Sequence, residues 1–425
     1  MPLTDKASLI SFVLKSITLL KTYFLSLAFF FSVIVLGSIA ASEPIANVST
    51  SLSSGKWNGQ RTHTGTDSFS FHSLDLSDQK NKFKYRLQIA KSDESEILYF
   101  DGSYMSYSPN NWAFGYGLKE RHWSPSSTNS LILSRNARPF QSFYVQTKSE
   151  QKFNSKFLSW MGKWSAEFFI GSLEKNRNIE QAKIAGARVK FKPLDGLEID
   201  LVRTAQFGGK GRSESFKTFF GLILGQKDIG DEANQLAGLG VSYEVLRGKV
   251  PVKIYGQMIG EDEAGYLPSC FMHLAGIEIS STISSIPSKF SIEGLDTVIS
   301  TTKNGWCGPN TAYNNSYYAS GYTHHGKTMG ASIDTASRSL NIFAEHKFSK
   351  HDLLWSISKI NINVPSLSSH RLSSKSVSGY DFSVGTKFDL ASLELTSQIY
   401  YQGYALDTAK QKKGLKLSVS LSKQF

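Results

Sequence analysis

Hydrophobic and polar residues alternate one by one close to the C-terminus. This period of two predicts a β-strand with one apolar face and one polar face. The run is too polar for a buried core strand and fits a strand that separates lipid from a wet lumen. Its apolar positions are Leu415, Leu417, Val419 and Leu421, the residues between them are Lys416, Ser418 and Ser420, and the chain ends at Phe425.

The preceding segment repeats this alternation, and we count about seventeen candidate strands between Thr66 and Phe425. A closed transmembrane barrel usually has an even number of strands, so we expect that one strand is missed or counted twice. The apolar face of the repeated segment holds Leu393, Leu395, Ile399 and Tyr401, and its polar face holds Glu394, Thr396, Gln398 and Tyr400.

Short and long connections alternate along the chain. Residues 348–352 and 387–390 make tight turns, whereas the connection between these turns, 363–376, is long. Outer-membrane barrels combine short periplasmic turns with longer outer loops. If the C-terminus is periplasmic, the other long connections also lie outside the cell; they are residues 208–236, 260–269 and 302–337.

A soluble β-sandwich or a propeller is the competing all-β fold. No repeat of about 40–50 residues recurs, which argues against a propeller. Charged residues also stand in the middle of predicted strands, where each unpaired charge would cost several kcal/mol in a dry core. A wet lumen would solvate all of them, which favours the barrel; they are Glu278, Glu293, Asp296 and Glu394.

The N-terminus has the features of a secretory signal peptide. Three lysines precede an uncharged stretch at residues 22–41, which has an apolar centre and ends in small residues. This order predicts export and cleavage after Ala40, with a retained signal anchor as the alternative. No cysteine lies near the cleavage site, which excludes a lipoprotein anchor.

The predicted organisation is therefore a signal peptide at residues 1–40, a periplasmic segment at 41–65 and a barrel at 66–425. The whole chain has 47 basic and 35 acidic residues. Removal of residues 1–40 takes away three lysines and one aspartate, which leaves 44 basic and 34 acidic residues and a net charge of +10. This surplus favours anionic lipid headgroups or an acidic polysaccharide as partners, because an exported protein does not meet nucleic acid.

Three segments resemble the capsule-assembly Wzi family of outer-membrane lectins. Residues 120–139, which end in Ser-Leu-Ile-Leu-Ser-Arg-Asn-Ala-Arg-Pro, are similar to a family motif that follows an aromatic-Gly-Pro segment. Residues 255–265, followed by Pro268, resemble the family's Gly-Glu-Asp-Glu-Ala-Gly strand end. The third segment joins Trp306-Cys-Gly-Pro-Asn310 to Gly321-Tyr322 and Gly330, and residues 203–212 with 234–238 form a weaker fourth likeness.

The resemblance covers roughly residues 80–425. It implies an outer-membrane antiparallel β-barrel of about 18 strands with long extracellular loops, in a Gram-negative bacterium. It also implies a lectin that binds and anchors capsular or exopolysaccharide. The chain departs from the family at Ser124 and Ser126, where we expect glycines, and the short N-terminal segment leaves little room for the family's periplasmic helical bundle.

Arginines and aromatic residues are the candidate polysaccharide ligands. Guanidinium groups bind carboxylates in pairs of hydrogen bonds, and an indole face can stack on a sugar ring. Two alternatives stay open: the arginines pair with lumen acids, and the tyrosines form an aromatic girdle or pack a loop. The candidates are Arg121, His122, Trp123, Arg135, Arg138, Lys210, Arg212, Trp306, Tyr313, Tyr317, Tyr318 and Tyr322.

Other motifs carry weaker signals. Glu261, Asp262 and Glu263 form an acidic cluster for which we favour a structural role over a cation or glycosidase site. Residues 214–224 are compatible with a short helix in the lumen or on a loop, or with a strand. His324 and His325 lack zinc-type spacing, so we expect a polar pair, no metal and no cofactor. No serine lies in a nucleophile elbow, so we expect no enzyme activity.

The two cysteines are predicted to form a disulfide. Cys270 begins one predicted strand, and Cys307 lies just beyond the end of the next. If residues 269–281 and 288–300 pair as a hairpin, Cys270 faces the region near Ser300, and a few loop residues bring Cys307 back to it. An oxidising compartment allows such a bond to persist.

These features together predict a surface lectin for acidic polysaccharide. Its other expected partners are outer-membrane lipid and the barrel assembly machinery, which would read the terminal strand and Phe425. A porin-like channel for anionic solutes is the alternative, with the same arginines lining a passage. Occlusion of the lumen by residues 216–224 and 302–337 would favour the lectin.

Overall fold

A computed structural model describes residues 45–59, 69–80, 82–92, 97–214, 233–248, 250–264, 267–390 and 393–425. The predicted signal peptide and the possible helix at residues 214–224, apart from Glu214, lie outside the described residues. So do the side chains of Asp78, Lys80, Arg247, Asp262, Glu263, Ala264, Leu267 and Leu390.

Eighteen strands close one antiparallel barrel, in which each strand pairs with its neighbours in sequence, and two further strands of two residues each, Leu98–Tyr99 and Gln151–Lys152, join the same sheet. The eighteen barrel strands are β1 (Ile45–Ser53), β2 (Phe69–Lys80), β3 (Phe83–Ser92), β4 (Tyr104–Tyr107), β5 (Trp112–Gly117), β6 (Gln141–Thr147), β7 (Lys163–Ser172), β8 (Lys183–Leu194), β9 (Leu197–Phe207), β10 (Asn234–Arg247), β11 (Val250–Ala264), β12 (Leu267–Ile283), β13 (Ile286–Asp296), β14 (Arg338–Lys347), β15 (His351–Ile362), β16 (Val377–Leu390), β17 (Leu393–Gln402) and β18 (Gly414–Gln424). The fold class is confirmed.

The N-terminal strand closes the barrel. β1 pairs with β18 from Asn47 opposite Gln424 to Ser53 opposite Ser418. The backbone N–H of Phe425 donates to the carbonyl of Ala46 at 2.8 Å, which extends the seam by one residue. This strand is the one that the odd count of seventeen missed.

The predicted boundary between a periplasmic segment at 41–65 and a barrel at 66–425 is therefore wrong at β1. Serine and threonine made this segment resemble coil, but hydroxyl groups suit a strand face that looks into a wet lumen. The hydroxyls of Ser49 on β1 and Ser73 on β2 lie 2.7 Å apart across the two strands.

The two ends of the barrel differ in their connections. At one end, which we call the short-turn end, most strands join through tight turns such as Ser284–Ser285, while residues 148–162 make a longer link. At the opposite, long-connection end lie residues 208–214, 297–337 and 363–376, which belong to three of the long connections predicted from the sequence. The predicted loop at 260–269 is wrong, because β11 and β12 continue to Ala264 and Leu267 and leave two residues between them.

Side chains alternate between the lipid face and the lumen as predicted. On β18, Leu415 and Leu417 are 62% and 46% exposed on the outside. Glu293 on β13 is fully buried in the lumen, where Tyr255 donates to it at 3.0 Å. Asp296 differs from the prediction, because it faces outward at the barrel rim and pairs with Arg338 at 3.0 Å.

Two connections fold into the barrel and fill its long-connection half. We call residues 118–140 and 297–337 together the plug. Plug residues such as Leu131 and Tyr313 pack against inward-facing wall residues such as Met272 and form one hydrophobic core. The sequence could not show this, because each plug residue gains its burial from wall residues far away in the chain.

Helical structure is almost absent from the described part of the chain. It consists of one 3-10 turn at Ser159–Met161. None of the helices in the described ranges has the length and apolar character needed to cross a bilayer.

Candidate saccharide-binding end of the barrel

Arg121 is held inside the barrel by the wall. Its Nε donates to Glu167 Oε1 at 2.9 Å, and its Nη2 donates to Ser142 Oγ at 3.0 Å. The guanidinium lies 4.2 Å from the centre of the Phe169 ring. The side chain is buried by these contacts, so Arg121 fixes the plug to β6 and β7 and does not reach a surface ligand.

Trp123 is also a plug residue, and it is 1% exposed. Its indole N–H donates to Glu167 Oε2 at 3.3 Å, and its ring packs 5.4 Å from that of Phe169. Gly186 on β8 makes this contact possible, because a Cβ there would lie 3.0 Å from Trp123 and 2.3 Å from Phe169. The Trp123 ring therefore presents no accessible face to a sugar in this structure.

The turn that follows Trp123 is built on serine hydroxyls. Ser126 Oγ accepts the backbone N–H groups of Thr128 at 3.1 Å and Asn129 at 3.2 Å. Ser124 Oγ accepts that of Ser126 at 3.1 Å. These bonds hold the turn at the two positions where glycines were expected. His122 Nε2 lies 2.8 Å from the Ser126 carbonyl, which places this ring inside the turn as well.

The two remaining arginines of this segment have different surroundings. Arg138 forms a bidentate pair with Asp101 at 2.9 and 2.8 Å and stacks 4.8 Å above Tyr99. Arg135 is exposed and donates to the Ser127 carbonyl at 3.1 Å. It faces a cavity of about 560 Å³ in the short-turn half of the lumen, away from the outer surface.

Three of the four predicted tyrosines tie the plug to the wall. The hydroxyl of Tyr313 donates to the Leu131 carbonyl at 2.9 Å, and that of Tyr322 donates to Thr204 Oγ1 at 3.0 Å. Tyr318 donates to the Gly208 carbonyl at 3.0 Å. All three side chains are buried. They hold the loops in place, and their rings present no accessible face to a polysaccharide in this structure.

Four predicted residues remain accessible at the long-connection end. Trp306 is 60% exposed. Arg212 Nη2 donates to the Tyr317 carbonyl at 3.0 Å and its guanidinium lies 4.9 Å from the Tyr318 ring, so the plug orients it. Lys210 pairs with Glu180 at 3.0 Å, and Tyr317 is exposed beside them. These residues bring two cations and two aromatic rings to the outer surface.

A lysine cluster at the same end was missed by the sequence reasoning. It consists of Lys375, Lys410, Lys412 and Lys413, which are all exposed. Asp407 joins their two loops by accepting the Ser374 N–H at 2.9 Å, and hydrogen bonds from Ser374 lower the pKa of Asp407. The signal in the sequence was the run Lys410-Gln-Lys-Lys413.

Cys270 and Cys307 are joined by a disulfide with a Cα–Cα distance of 5.4 Å. Cys270 lies near the start of β12, and the ladder with β13 ends where His273 faces Asp296. The bond therefore holds the loop beside Trp306 against the end of this hairpin. The Cys307 N–H also donates to Thr302 Oγ1 at 3.1 Å.

A buried ion pair connects two of the outer loops. Arg371 Nε donates to Asp334 Oδ2 at 2.8 Å, and Arg371 Nη2 contacts the second carboxylate oxygen. Burial acts to raise the pKa of Asp334, but the charge and hydrogen bonds of Arg371 keep it below its usual range. Loop 363–376 is thereby fixed to the plug.

The two histidines lie in the plug beside a carboxylate. His324 Nδ1 is 2.6 Å from Glu174 Oε2. Burial acts to raise the pKa of Glu174, but His324 and Arg177 lower it to about 2. Burial, with the charges of His324 and Arg138, lowers the pKa of His325 to about 4. These contacts make the histidines a polar pair, as expected.

Glu261 of the predicted acidic cluster is buried in β11.

A protein-family model matches this chain, and known proteins are similar to it. The model of the capsule assembly protein Wzi matches residues 57–359. The solved structure of Escherichia coli Wzi aligns with a TM-score of 0.78 and 23% identity, over 92% of this chain and 87% of its own. Wzi is described as an outer membrane protein involved in group 1 capsule assembly and a carbohydrate-binding β-barrel. At this identity, the likeness supports the fold alone.

The second similar protein is an uncharacterised 55.8 kDa protein from the cps region of Klebsiella pneumoniae. It is 36% identical over 174 residues, which are 40% of this chain and 34% of that protein. The matched segment thus spans about a third of the relative's length.

Proposed function

The chain belongs to the capsule assembly Wzi family, and from this premise we propose that it is a non-enzymatic lectin of the outer membrane. It binds acidic capsular or exopolysaccharide and anchors it at the cell surface. Escherichia coli Wzi is described as a carbohydrate-binding barrel. The proposal extends that kind of ligand to this chain and adds its acidic character.

One observation carries the proposal: exposed cations and aromatic rings stand on loops that are tied to a packed plug. Cations bind carboxylates, and flat rings stack on sugars. Because the plug holds the loops, little conformational freedom is lost when a ligand binds. The proposed contact residues are Lys210, Arg212, Trp306, Tyr317 and the lysine cluster.

The polymer is held by many weak contacts. Each acidic sugar meets only a few exposed side chains, and exposed ion pairs contribute about 1 kcal/mol or less. A long polymer offers many such sites, and each cell presents many barrels, so a second contact forms at a high effective concentration. Retention therefore depends on avidity and needs no catalytic step.

The plug argues against the alternative of an open channel for anionic solutes. Leu131, Tyr313 and Met329 pack together across the long-connection half of the lumen. The channel alternative would have Arg121 and Arg138 line a passage. Instead, Arg121 forms an ion pair with Glu167, and Arg138 forms one with Asp101. A hydrophobic core packed across this half of the lumen differs from the water-filled channel of a porin.

Salt dependence tests the acidic character of the ligand. Binding of purified acidic capsular polysaccharide to the detergent-solubilised protein should weaken as salt rises from about 50 to about 500 mM, because exposed charges are then screened. A neutral dextran serves as the control and should bind weakly at every salt concentration. Equal binding of the acidic and the neutral polymer throughout would refute the proposal.

A variant of the lysine cluster tests its location. The triple substitution Lys410→Gln, Lys412→Gln and Lys413→Gln should reduce polymer retention on intact cells about tenfold, since avidity multiplies small losses. The matched control is Lys347→Gln, Lys350→Gln and Lys387→Gln, which removes the same charge at the short-turn end. Equal retention by both variants would place the binding surface elsewhere.

A further inference from the structure

A basic cavity opens into the lumen at the short-turn end, below the plug. Its volume is about 450 Å³, and it lies inside strands β2–β6. Lys82 and Lys148 stand at its mouth, Lys84 and Arg86 point inward from β3, and Lys119 reaches it from the plug. We call this cavity the basic chamber.

Two of these five cations form ion pairs with carboxylates of the protein. Arg86 Nε donates to Asp75 Oδ2 at 2.9 Å, and Lys119 Nζ lies 2.9 Å from Glu167 Oε1. Lys82, Lys84 and Lys148 form no ion pair with any side chain that the structure describes, and Glu120 is the one carboxylate among the described residues that line the chamber. Among the described side chains, three lysines therefore share a single acidic neighbour in a confined space.

Several lysines elsewhere on the same end are matched individually. Lys289 pairs with Glu278 at 2.8 Å, Lys347 with Glu345 at 3.5 Å and Lys387 with Glu394 at 2.5 Å. The basic chamber differs from these sites because it brings several lysines to one cavity. Like charges in one cavity repel each other, and an anion in the cavity removes that cost.

The other lining groups suit a sugar better than a small inorganic ion. Tyr104, Ser106 and Gln146 offer neutral hydrogen-bonding groups, and Tyr144 contributes an aromatic ring. Pockets of about 300–1,000 Å³ hold ligands of several rings. The lysines can bind the carboxylates of an acidic saccharide, and the neutral groups can form hydrogen bonds with its hydroxyls. An aromatic face can pack against its sugar ring.

We propose that the basic chamber is a second binding site for a short acidic saccharide, open to the periplasm. It lies at the opposite end of the barrel from the proposed polysaccharide surface. The identity of the ligand as a saccharide rests on the proposed function, whereas anion binding rests on the lysines alone. A barrel with both sites contacts acidic saccharide on each side of the membrane.

Titration calorimetry of the full-length protein in detergent tests this site, with trigalacturonate as the probe. The wild type should show two binding classes. The double variant Lys84→Gln and Lys148→Gln should lose one class, with affinity about 100-fold lower, since each charged hydrogen bond accounts for about tenfold. The lysine-cluster variant of the outer surface should keep that class.

A matched control separates the chamber from general charge. Lys347→Gln with Lys387→Gln removes the same charge from the same end, and both binding classes should persist. Comparable loss in the control and in the chamber variant would overturn the proposal, as would an unchanged titration of the chamber variant. Heat-modifiable migration on gels verifies that each variant is a folded barrel.

Two further probes fix the ligand class. Maltotriose, a neutral saccharide of equal length, should not bind the chamber. Inorganic phosphate should not displace trigalacturonate at equal concentration, and displacement would overturn the saccharide assignment. Binding of trigalacturonate to the chamber is measured separately from polymer retention on intact cells. Failure of this proposal can therefore be distinguished from failure of the proposed function.

Discussion

Arg371 and Asp334 show how a single ion pair holds the outer loops together. Arg371→Ala would leave the buried Asp334 carboxylate without its cation, which typically costs about 3–5 kcal/mol. Amide hydrogen exchange should therefore become faster in residues 331–337. Hydrogen-exchange mass spectrometry of the folded barrel measures this change.

The matched control for this prediction is Arg338→Ala. Arg338 pairs with Asp296 at 3.0 Å, but both side chains are largely exposed. Exposed pairs contribute about 1 kcal/mol or less. Exchange in residues 331–337 should thus stay at the wild-type rate in this variant. Equal acceleration in both variants would contradict the structural role of Arg371.

His325 should make the plug sensitive to acid. Its pKa in the folded protein is about 4, below the ordinary value of 6.5. As pH falls from about 6.5 to about 4, the unfolded chain takes up the proton first, so stability is lost across that window. Because His325 is partly exposed, we expect about 1 kcal/mol or less.

His325→Gln tests this effect. The variant should lose less stability than the wild type between pH 7 and pH 4.5, as measured by urea unfolding in detergent. The variant keeps His324 and its contact with Glu174. Any difference between the two pH profiles is therefore due to His325. Identical pH profiles for the two proteins would show that His325 plays no part.

The disulfide acts at the scale of a single element, the long loop of the plug. Non-reducing mass mapping should show the peptides of Cys270 and Cys307 joined. Cys270→Ser with Cys307→Ser should cost a few kcal/mol at most in the chain-entropy model, and less where the barrel already restrains the ends. Recovery of both residues as free thiols from oxidised, folded protein would refute the bond.

The effect of that double variant should be local. The disulfide holds residues 302–307 beside the start of β12. We expect faster proteolysis at Lys303 in the double variant, while the barrel keeps its heat-modifiable migration. Polymer binding should fall if the position of Trp306 matters, and Trp306→Ala in the wild-type background gives the comparison.

The orientation of the whole barrel is tested by epitope tags. The turn at Lys303–Gly305 is exposed at the long-connection end, so a tag there should be labelled on intact cells. A tag after Phe425 should block assembly, because its N–H continues the seam between β18 and β1. Labelling of the loop tag only after permeabilisation would reverse the orientation.

The alternation of the strands could be read from the sequence because it is local. Leu415 and Lys416 point to opposite faces whatever the rest of the chain does. The even number of strands expected for closure also indicated that one strand was missed or counted twice. β1 itself escaped detection, because a lumen-facing row of serines carries no hydrophobic signal.

Tertiary structure alone decided which side chains are free to bind. Arg121 donates a hydrogen bond to Glu167, which is 46 residues away in the sequence. Tyr313 donates one to the carbonyl of Leu131, which is 182 residues away in the sequence. No local pattern distinguishes such residues from Arg212 or Trp306, which remain at the surface. The sequence determined the barrel and its basic, aromatic outer loops, because strand alternation and charge are properties of neighbouring residues. The packing of the plug determined the binding surface, because burial depends on contacts between distant parts of the chain.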